Sequence, residues 1–318
     1  MKAAIAQFAP AFMSRAGVTA QIVEWIGKAA EAGAELVCFG EAIIPAYPLW
    51  LSRTDAARFD DRLQKRLFAR YAREAVCVED GDLDPIAHAC AERKIAAVIG
   101  IVERPRGRGH SLFCSRVVIG GHGDEAGRVL SVHRKLMPTY EERLVWGCGD
   151  AKGLVTHRIG TLRVGALNCW ENWMPLARAA LYEAGEDLHV MLWPGSERLT
   201  RDITRFAAIE GRNYVISASA LIRPGDLPKD VPELATLCAR DECFFYDGGS
   251  CIAAPDGSWV VEPVVGRESL ITAELDLDRV REERQNFDPA GHYARPELLT
   301  LCVQRDAPQG PYMSMKGS

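Results

Sequence analysis

Residues 161–181 read TLRVGALNCWENWMPLARAAL, and the reading of this stretch decides the fold. Thr161 to Leu167 have the length and apolar content of a buried strand, whereas Met174, Leu176, Ala177, Ala180 and Leu181 recur at helical spacing. Cys169 therefore falls in the turn between a strand and a helix, where α/β proteins tend to place reacting groups.

The same alternation extends in both directions. Lys2 to Phe8 reads as a strand, and Ile22, Trp25, Ile26, Ala29, Ala30 and Gly33 mark one face and the end of a helix. Glu35 to Phe39 is a second strand that delivers Glu41. Pro85 to Arg93 reads as helix and Ile95 to Ile101 as strand; Leu188 to Trp193, Arg201 to Arg212 and Tyr214 to Ala220 repeat the order strand, helix, strand. Between these units, Leu112 to Ile119 and Gly127 to His133 flank the turn-rich GGHGDEAG, and Ser250 to Ala254 lead through APDGSW into Val260 and Val261, both as antiparallel pairs. The expectation is an α/β fold with mixed sheets, helices outside and a single domain over residues 1–305. Residues 306–318 are rich in Gly, Pro and Ser and are expected to form a loose tail, and Leu49 to Phe68 and Ala220 to Cys243 are read as loops.

Composition excludes several classes. A net charge of −5 and a single short basic cluster, Arg104, Arg106 and Arg108 in RPRGRGH, give no concentrated basic face for nucleic acid. No apolar run approaches membrane-spanning length, and MKAAIAQFAPAF resembles a first strand rather than a secretory signal, so a cytoplasmic protein with no membrane partner is expected. Ten scattered cysteines without a CxxC pair argue against a disulfide framework or a zinc site. HExxH, GxSxG, GxxxxGK[ST] and GxGxxG are all missing.

Four residues could carry chemistry, each unremarkable alone. Glu41 in CFGEAIIPAYP stands just past an apolar strand. Lys135 follows the segment Arg128 to His133 and is enclosed by Leu136, Met137 and Pro138, and Glu142 lies seven residues further on. Cys169 has the ordinary reading of a buried structural thiol. Two features raise its standing: helix N–H groups beyond the turn and a nearby lysine would both favour the thiolate. A Cys–His pair with His133 remains conceivable from the residues alone.

Together, FGEAIIPAYP, HRKLMPTYEERLVWGCGD and NCWENWMPLARAALY, in this order and spacing, resemble the nitrilase family, and DPAGHYARPELL is similar to its C-terminal segment. CWEN…MPL resembles the true-nitrilase branch of the carbon-nitrogen hydrolase superfamily. The resemblance implies a four-layer αββα sandwich. It also implies catalytic roles for Cys169 as nucleophile, Glu41 as general base, Lys135 as the cation facing the tetrahedral intermediate, and Glu142 as second glutamate. It implies a small-molecule nitrile as substrate, no metal or organic cofactor, and a homo-oligomer built on dimers. Tyr47, Trp170 and Trp193 are expected to wall the substrate pocket, with Trp50 and Trp173 as alternatives. The sequence departs from the family pattern at Gly40, Ala46 and Cys148. Rival readings are an amidase or N-carbamoyl hydrolase, a cyanide-hydrolysing relative, and a catalytically silent scaffold.

Overall fold

The computed structural model describes residues 1–229, 231, 234 and 243–306. The expected tail therefore lies, apart from Asp306, outside the described residues, as do 11 of the 24 residues of the loop expected between Ala220 and Cys243. The first sheet comprises β1 (Lys2–Gln7), β2 (Leu36–Cys38), β3 (Ala96–Glu103), β4 (Phe113–Ile119), β5 (Val129–Arg134) and β13 (Ser269–Glu274), in the order β13–β1–β2–β3–β4–β5. The second comprises β6 (His157–Ile159), β7 (Leu162–Asn168), β8 (Leu188–Trp193), β9 (Tyr214–Ser219), β10 (Leu221–Ile222) and β11 (Tyr246–Ala253), in the order β10–β11–β9–β8–β7–β6, with β12 (Trp259–Val265) paired to β11. Each sheet has a parallel centre, β1–β2–β3 and β7–β8–β9, and antiparallel edges.

Strand periodicity explains the layering. Ala3 and Ile5 of β1 face the second sheet, packed with Val98, Val164, Val190 and Ile216, while Ala4 and Ala6 face the other way into a cluster with Val18, Ile22 and Ile26. Those last three residues belong to α1 (Arg15–Glu31), whose Ser14 cap accepts from Gly17 N–H; α3 (Asp84–Arg93) adds Ile86, Ala89 and Cys90 to the same layer. On the far side, α4 (Pro175–Glu183) and α5 (Glu197–Gly211) cover the second sheet through Ala177, Ala180 and Leu181 and through Ile203, Ala207 and Ala208. Helix, sheet, sheet, helix is the αββα sandwich that the resemblance implies.

Three differences from the sequence reading have physical reasons. The expected loop from Leu49 to Phe68 overlaps α2 (Arg62–Glu74), which buries only Leu67, Tyr71 and Ala72, too narrow a stripe to stand out from its charges. The helix α6 (Leu277–Asn286) buries only Val280, and β6 and β13 are edge strands. Finally, no α-helix begins directly after Cys169: a 3₁₀ turn, Cys169–Trp173, intervenes before α4 starts at Pro175.

Candidate active site

Strand ends deliver the four residues to one place. Glu41 follows β2, and its N–H donates to the Trp193 carbonyl at the end of β8 (3.0 Å), tying the two sheets together. Gly100 makes this possible, since a Cβ there would lie 2.3 Å from Gly40 O and 2.7 Å from Glu41 Cα. Gly40 itself has no room, with Trp193 O 2.8 Å from where its Cβ would be, so the departure from the family pattern suits this chain's packing. Lys135 leaves β5 with its N–H on Cys114 O (2.8 Å), and Glu142 lies in the turn Tyr140–Leu144 with Oε2 accepting from Thr139 N–H (2.7 Å). Cys169, the first residue past β7, has φ of +45°, and Ala42, Ala46 and Tyr140, in the segments that carry Glu41, Tyr47 and Glu142, also have positive φ (+47°, +95° and +45°). Non-glycine residues in this region cost of order 1–3 kcal/mol each, and such strain gathers at functional sites.

The side chains converge in a space closed to solvent. Lys135 Nζ donates to Glu41 Oε1 (2.9 Å) and to Glu142 Oε2 (2.7 Å), and none of the three residues is more than 1% exposed. One carboxylate oxygen from each glutamate and Cys169 Sγ lie within 4.8 Å of one another. Two carboxylates and a thiolate are also a donor set for a metal, but the ammonium of Lys135 already supplies the cation both carboxylates bind. Tyr47 donates its hydroxyl to Glu142 Oε1 (2.8 Å), and the buried thiol of Cys114 donates to Glu41 Oε1 (3.4 Å). Glu41 Oε2 is buried without a hydrogen-bond partner among the described residues.

Burial sets the protonation states. It raises the Glu41 carboxyl to about 7, with the Glu142 charge adding to the rise and Lys135 opposing it. Burial alone would push Lys135 down, but the charges of Glu41, Cys169 and Glu142 hold it well above the ordinary lysine range. The Cys169 thiol is driven well up by burial and then by the two glutamates, against the pull of Lys135 and the Trp170 N–H. This corrects the sequence expectation of an activated thiolate. With α4 starting only at Pro175, no α-helix terminus offsets the burial, so the resting group is the neutral thiol beside a base.

The turn after Cys169 is clamped by two residues that the sequence reading did not single out. Glu171 Oε1 accepts from Leu136 N–H (2.8 Å) and Oε2 from Asn168 N–H (3.1 Å), joining the residue after Lys135 to the residue before Cys169. Its third partner is His133 Nε2 (2.9 Å to Oε1). These bonds hold the Glu171 carboxyl low even though burial alone would raise it. His133 Nε2 is bound to Glu171 and its Nδ1 has no hydrogen-bond partner among the described residues, so neither ring nitrogen meets Cys169 Sγ and His133 belongs to the clamp. Asn172 Nδ2 donates to the Cys169 carbonyl (2.8 Å).

Among the expected pocket residues, Tyr47 joins the cluster and Trp193, fully buried, packs in one cluster with Cys169. Trp170 does not form a wall: it is 47% exposed and its ring lies against Trp173, which stacks on Phe206 of α5. Of the alternatives, Trp50 is buried against Tyr71 and Trp173 is at the surface. The rings that surround the cluster instead are Trp146, 5.9 Å from Lys135 Nζ, and Tyr246, 5.5 Å from the Tyr47 ring. Trp146 sits in the motif segment that contains Glu142; nothing in the sequence marks Tyr246, which reaches the site from β11.

Comparison with known proteins bears on this arrangement. The model of a family described as carbon-nitrogen hydrolase matches residues 2–285. The chain is 32% identical over 312 residues to a bifunctional nitrilase/nitrile hydratase, NIT4B, of Nicotiana tabacum, covering 96% of this chain and 87% of that one. It is 32% identical over 316 residues to an aliphatic nitrilase of Rhodococcus rhodochrous, covering 95% and 79%. Among solved structures, a carbon-nitrogen hydrolase from Helicobacter pylori superposes with a TM-score of 0.67 at 17% identity, covering 93% of this chain and 96% of that one.

Proposed function

The chain belongs to the carbon-nitrogen hydrolase family, and from that membership and the buried cluster we propose that it is a nitrilase, converting an organic nitrile to the carboxylic acid and ammonia. The observation that carries the reading is the meeting of Cys169 Sγ and two glutamate oxygens within 4.8 Å around the Lys135 ammonium. The functional unit is residues 1–305.

Glu41, raised to about 7, is a carboxylate above neutral pH and takes the thiol proton as Cys169 Sγ attacks the nitrile carbon. Its unpartnered Oε2 is the acceptor left for that proton. The proton passes to the nitrile nitrogen, giving a thioimidate. Water then adds, ammonia leaves and a thioester remains, which a second water hydrolyses to the acid and free thiol. Lys135 and the Trp170 N–H stabilise negative charge on the former nitrile nitrogen and later on oxygen. Glu142, held by Tyr47 and Thr139, keeps Lys135 in place and relays protons. Tyr47, Trp146, Trp193 and Tyr246 supply the apolar surroundings for the substrate's organic group.

Two further features support an assembly in a reducing compartment. Trp170, Trp173, Met174 and Leu176 ahead of and within α4, with Phe206 and Ile209 of α5, form a band of residues 38–69% exposed. Such apolar bands mark contact surfaces, and a second copy of this chain is the partner we propose for it, as in a dimer-based homo-oligomer. All nine described cysteines are free, which suits the cytoplasm. No described helix is long and apolar enough to cross a membrane.

The test is ammonia release from aliphatic, arylacetic and aromatic nitriles, cyanide and matching amides, with acid and amide products separated and Cys169→Ala as control. Acid and ammonia from a nitrile, lost in the control, establish the reading. The tobacco relative's name couples nitrilase with nitrile hydratase, so released amide is measured as a second product of the same site. Turnover of amides alone would assign the cluster to an amidase instead.

A further inference from the structure

A buried chain of polar side chains runs from β8 to the backbone of Cys169. Asn172 Nδ2 lies 2.8 Å from Cys169 O and 3.3 Å from Leu167 O. Both are carbonyls and only accept, so the nitrogen end of this amide is fixed by its neighbours. Asn172 Oδ1 must then be the atom 2.8 Å from His189 Nε2, and because that oxygen also only accepts, His189 Nε2 must carry a hydrogen. The other ring nitrogen, Nδ1, is 2.8 Å from Glu186 Oε1, and Glu186 Oε2 accepts from Asn213 Nδ2 at 3.2 Å. Asn172, His189 and Glu186 are all fully buried. Gly165 on β7 leaves the room: a Cβ there would stand 2.0 Å from Glu186 Oε1.

We propose that His189, backed by Glu186, is a positioning residue for the nucleophile: by presenting an N–H to Asn172 it locks the amide whose NH₂ holds the Cys169 carbonyl and so the strained turn at φ +45°. Asn172 Oδ1, an acceptor, is what requires the hydrogen on Nε2. A neutral imidazole with its only hydrogen on Nδ1 would turn a bare nitrogen toward Asn172 Oδ1, and the amide would have to flip, breaking both carbonyl bonds. Glu186 at Nδ1 is compatible with a hydrogen on Nε2 in two forms, a carboxyl that donates to Nδ1 or a carboxylate that accepts from a ring carrying hydrogen on both nitrogens. None of the three side chains touches the cluster of Glu41, Lys135 and Glu142 in the hydrogen-bond pattern. Their influence on the reaction passes through the Cys169 backbone, where a displacement of about 1 Å can cost about 100-fold in rate.

This inference rests on Cys169 being the nucleophile, so its test carries one readout that needs no substrate. Nitrile turnover and the rate of iodoacetamide alkylation of Cys169, resolved by peptide mass, are compared in His189→Gln, His189→Leu, Asn172→Ala and the Leu/Ala double variant, with folding followed by thermal melting. Gln places an amide N–H near the Nε2 position. His189→Gln is expected to keep kcat within several-fold of the parent, His189→Leu to lose about 100-fold in kcat with KM little changed, and alkylation to fall in parallel. In the Asn172→Ala background, His189→Leu is expected to add less than threefold, because its effect is routed through Asn172. Multiplying effects in the double variant, or equal loss in Gln and Leu variants that melt like the parent, would overturn the proposal. Should His189→Leu fail to fold, the Gln variant and Asn172→Ala still decide: a Gln variant as impaired as Asn172→Ala contradicts it. If the parent turns over no nitrile but alkylation follows the expected pattern, the functional reading fails and the positioning role stands.

Discussion

Replacing Glu142 with glutamine tests the electrostatics of the cluster through a signed shift. The glutamine fits: its Oε1 can take the bonds from Lys135 Nζ and Thr139 N–H that Glu142 Oε2 now accepts, while its NH₂ meets the Tyr47 hydroxyl, which can turn to accept. What disappears is a negative charge with an oxygen within 4.8 Å of one on Glu41. At an effective dielectric of about 20, two like charges about 4.8 Å apart repel by about 3.5 kcal/mol, equivalent to about 2.5 pH units. The Glu142 charge ranks behind both burial and the Lys135 charge among the causes acting on Glu41, so the expected shift is set below that figure, at about one to two pH units. The sign follows from the role. Glu41 acts as base only when ionised, so activity rises with pH through its pKa; removing the Glu142 charge makes ionisation easier and moves that rise to lower pH. The assay is the pH dependence of kcat/KM for ammonia release between about pH 4.5 and 9. The parent is expected to lose activity on acidification through about pH 7, and Glu142→Gln to lose it at lower pH, whatever its maximal rate. An acid limb that stays put or moves upward in the variant would refute the assignment of Glu41 as the titrating base.

Lys135→Gln should move the same limb upward, because it removes the charge that opposes the rise in Glu41, and should lower kcat by at least about 100-fold; pH profiles at high enzyme concentration check both. Gly100→Ala should disturb Glu41, since the new methyl would sit 2.3 Å from Gly40 O; a loss of about 1–3 kcal/mol in a urea melt and a marked fall in kcat are expected. Glu171→Gln must turn its NH₂ onto a backbone N–H, because each carboxylate oxygen faces one; thermal melting should show destabilisation of about 1–3 kcal/mol. Leu176→Glu, at a residue 69% exposed, should leave the monomer folded and weaken the proposed assembly in analytical ultracentrifugation.

The parts legible in the sequence were those written in local pattern. Two-sided apolar strands such as Ile95 to Ile101 announced a buried sheet, but Glu41, Lys135, Glu142 and Cys169 stayed individually ordinary until the order and spacing of their motif segments, which resemble the nitrilase family, made them a set. Elements that bury little, such as α2 and α6, left no pattern to find. Polar partners drawn from distant segments were equally hidden: Glu171 meets His133 across 38 residues, and Asn172 meets His189 across 17. Trp170 shows the limit of proximity, since adjacency to Cys169 fixes its backbone near the site while its ring packs on Trp173 at the surface. The thiol's protonation was misjudged for a related reason. The sequence showed a helix to come but not the 3₁₀ turn that postpones it, nor how completely the site is closed.

The central claim is that Cys169 carries the substrate's carbon as a thioester, and the most direct measurement is the mass of the Cys169 peptide from enzyme quenched in acid during nitrile turnover. The account predicts an added acyl group on that peptide, found when the parent is mixed with a nitrile that it hydrolyses and missing from Cys169→Ala. Steady turnover of that nitrile by the Cys169→Ala variant, or an acyl group carried by another residue of the parent, would contradict it.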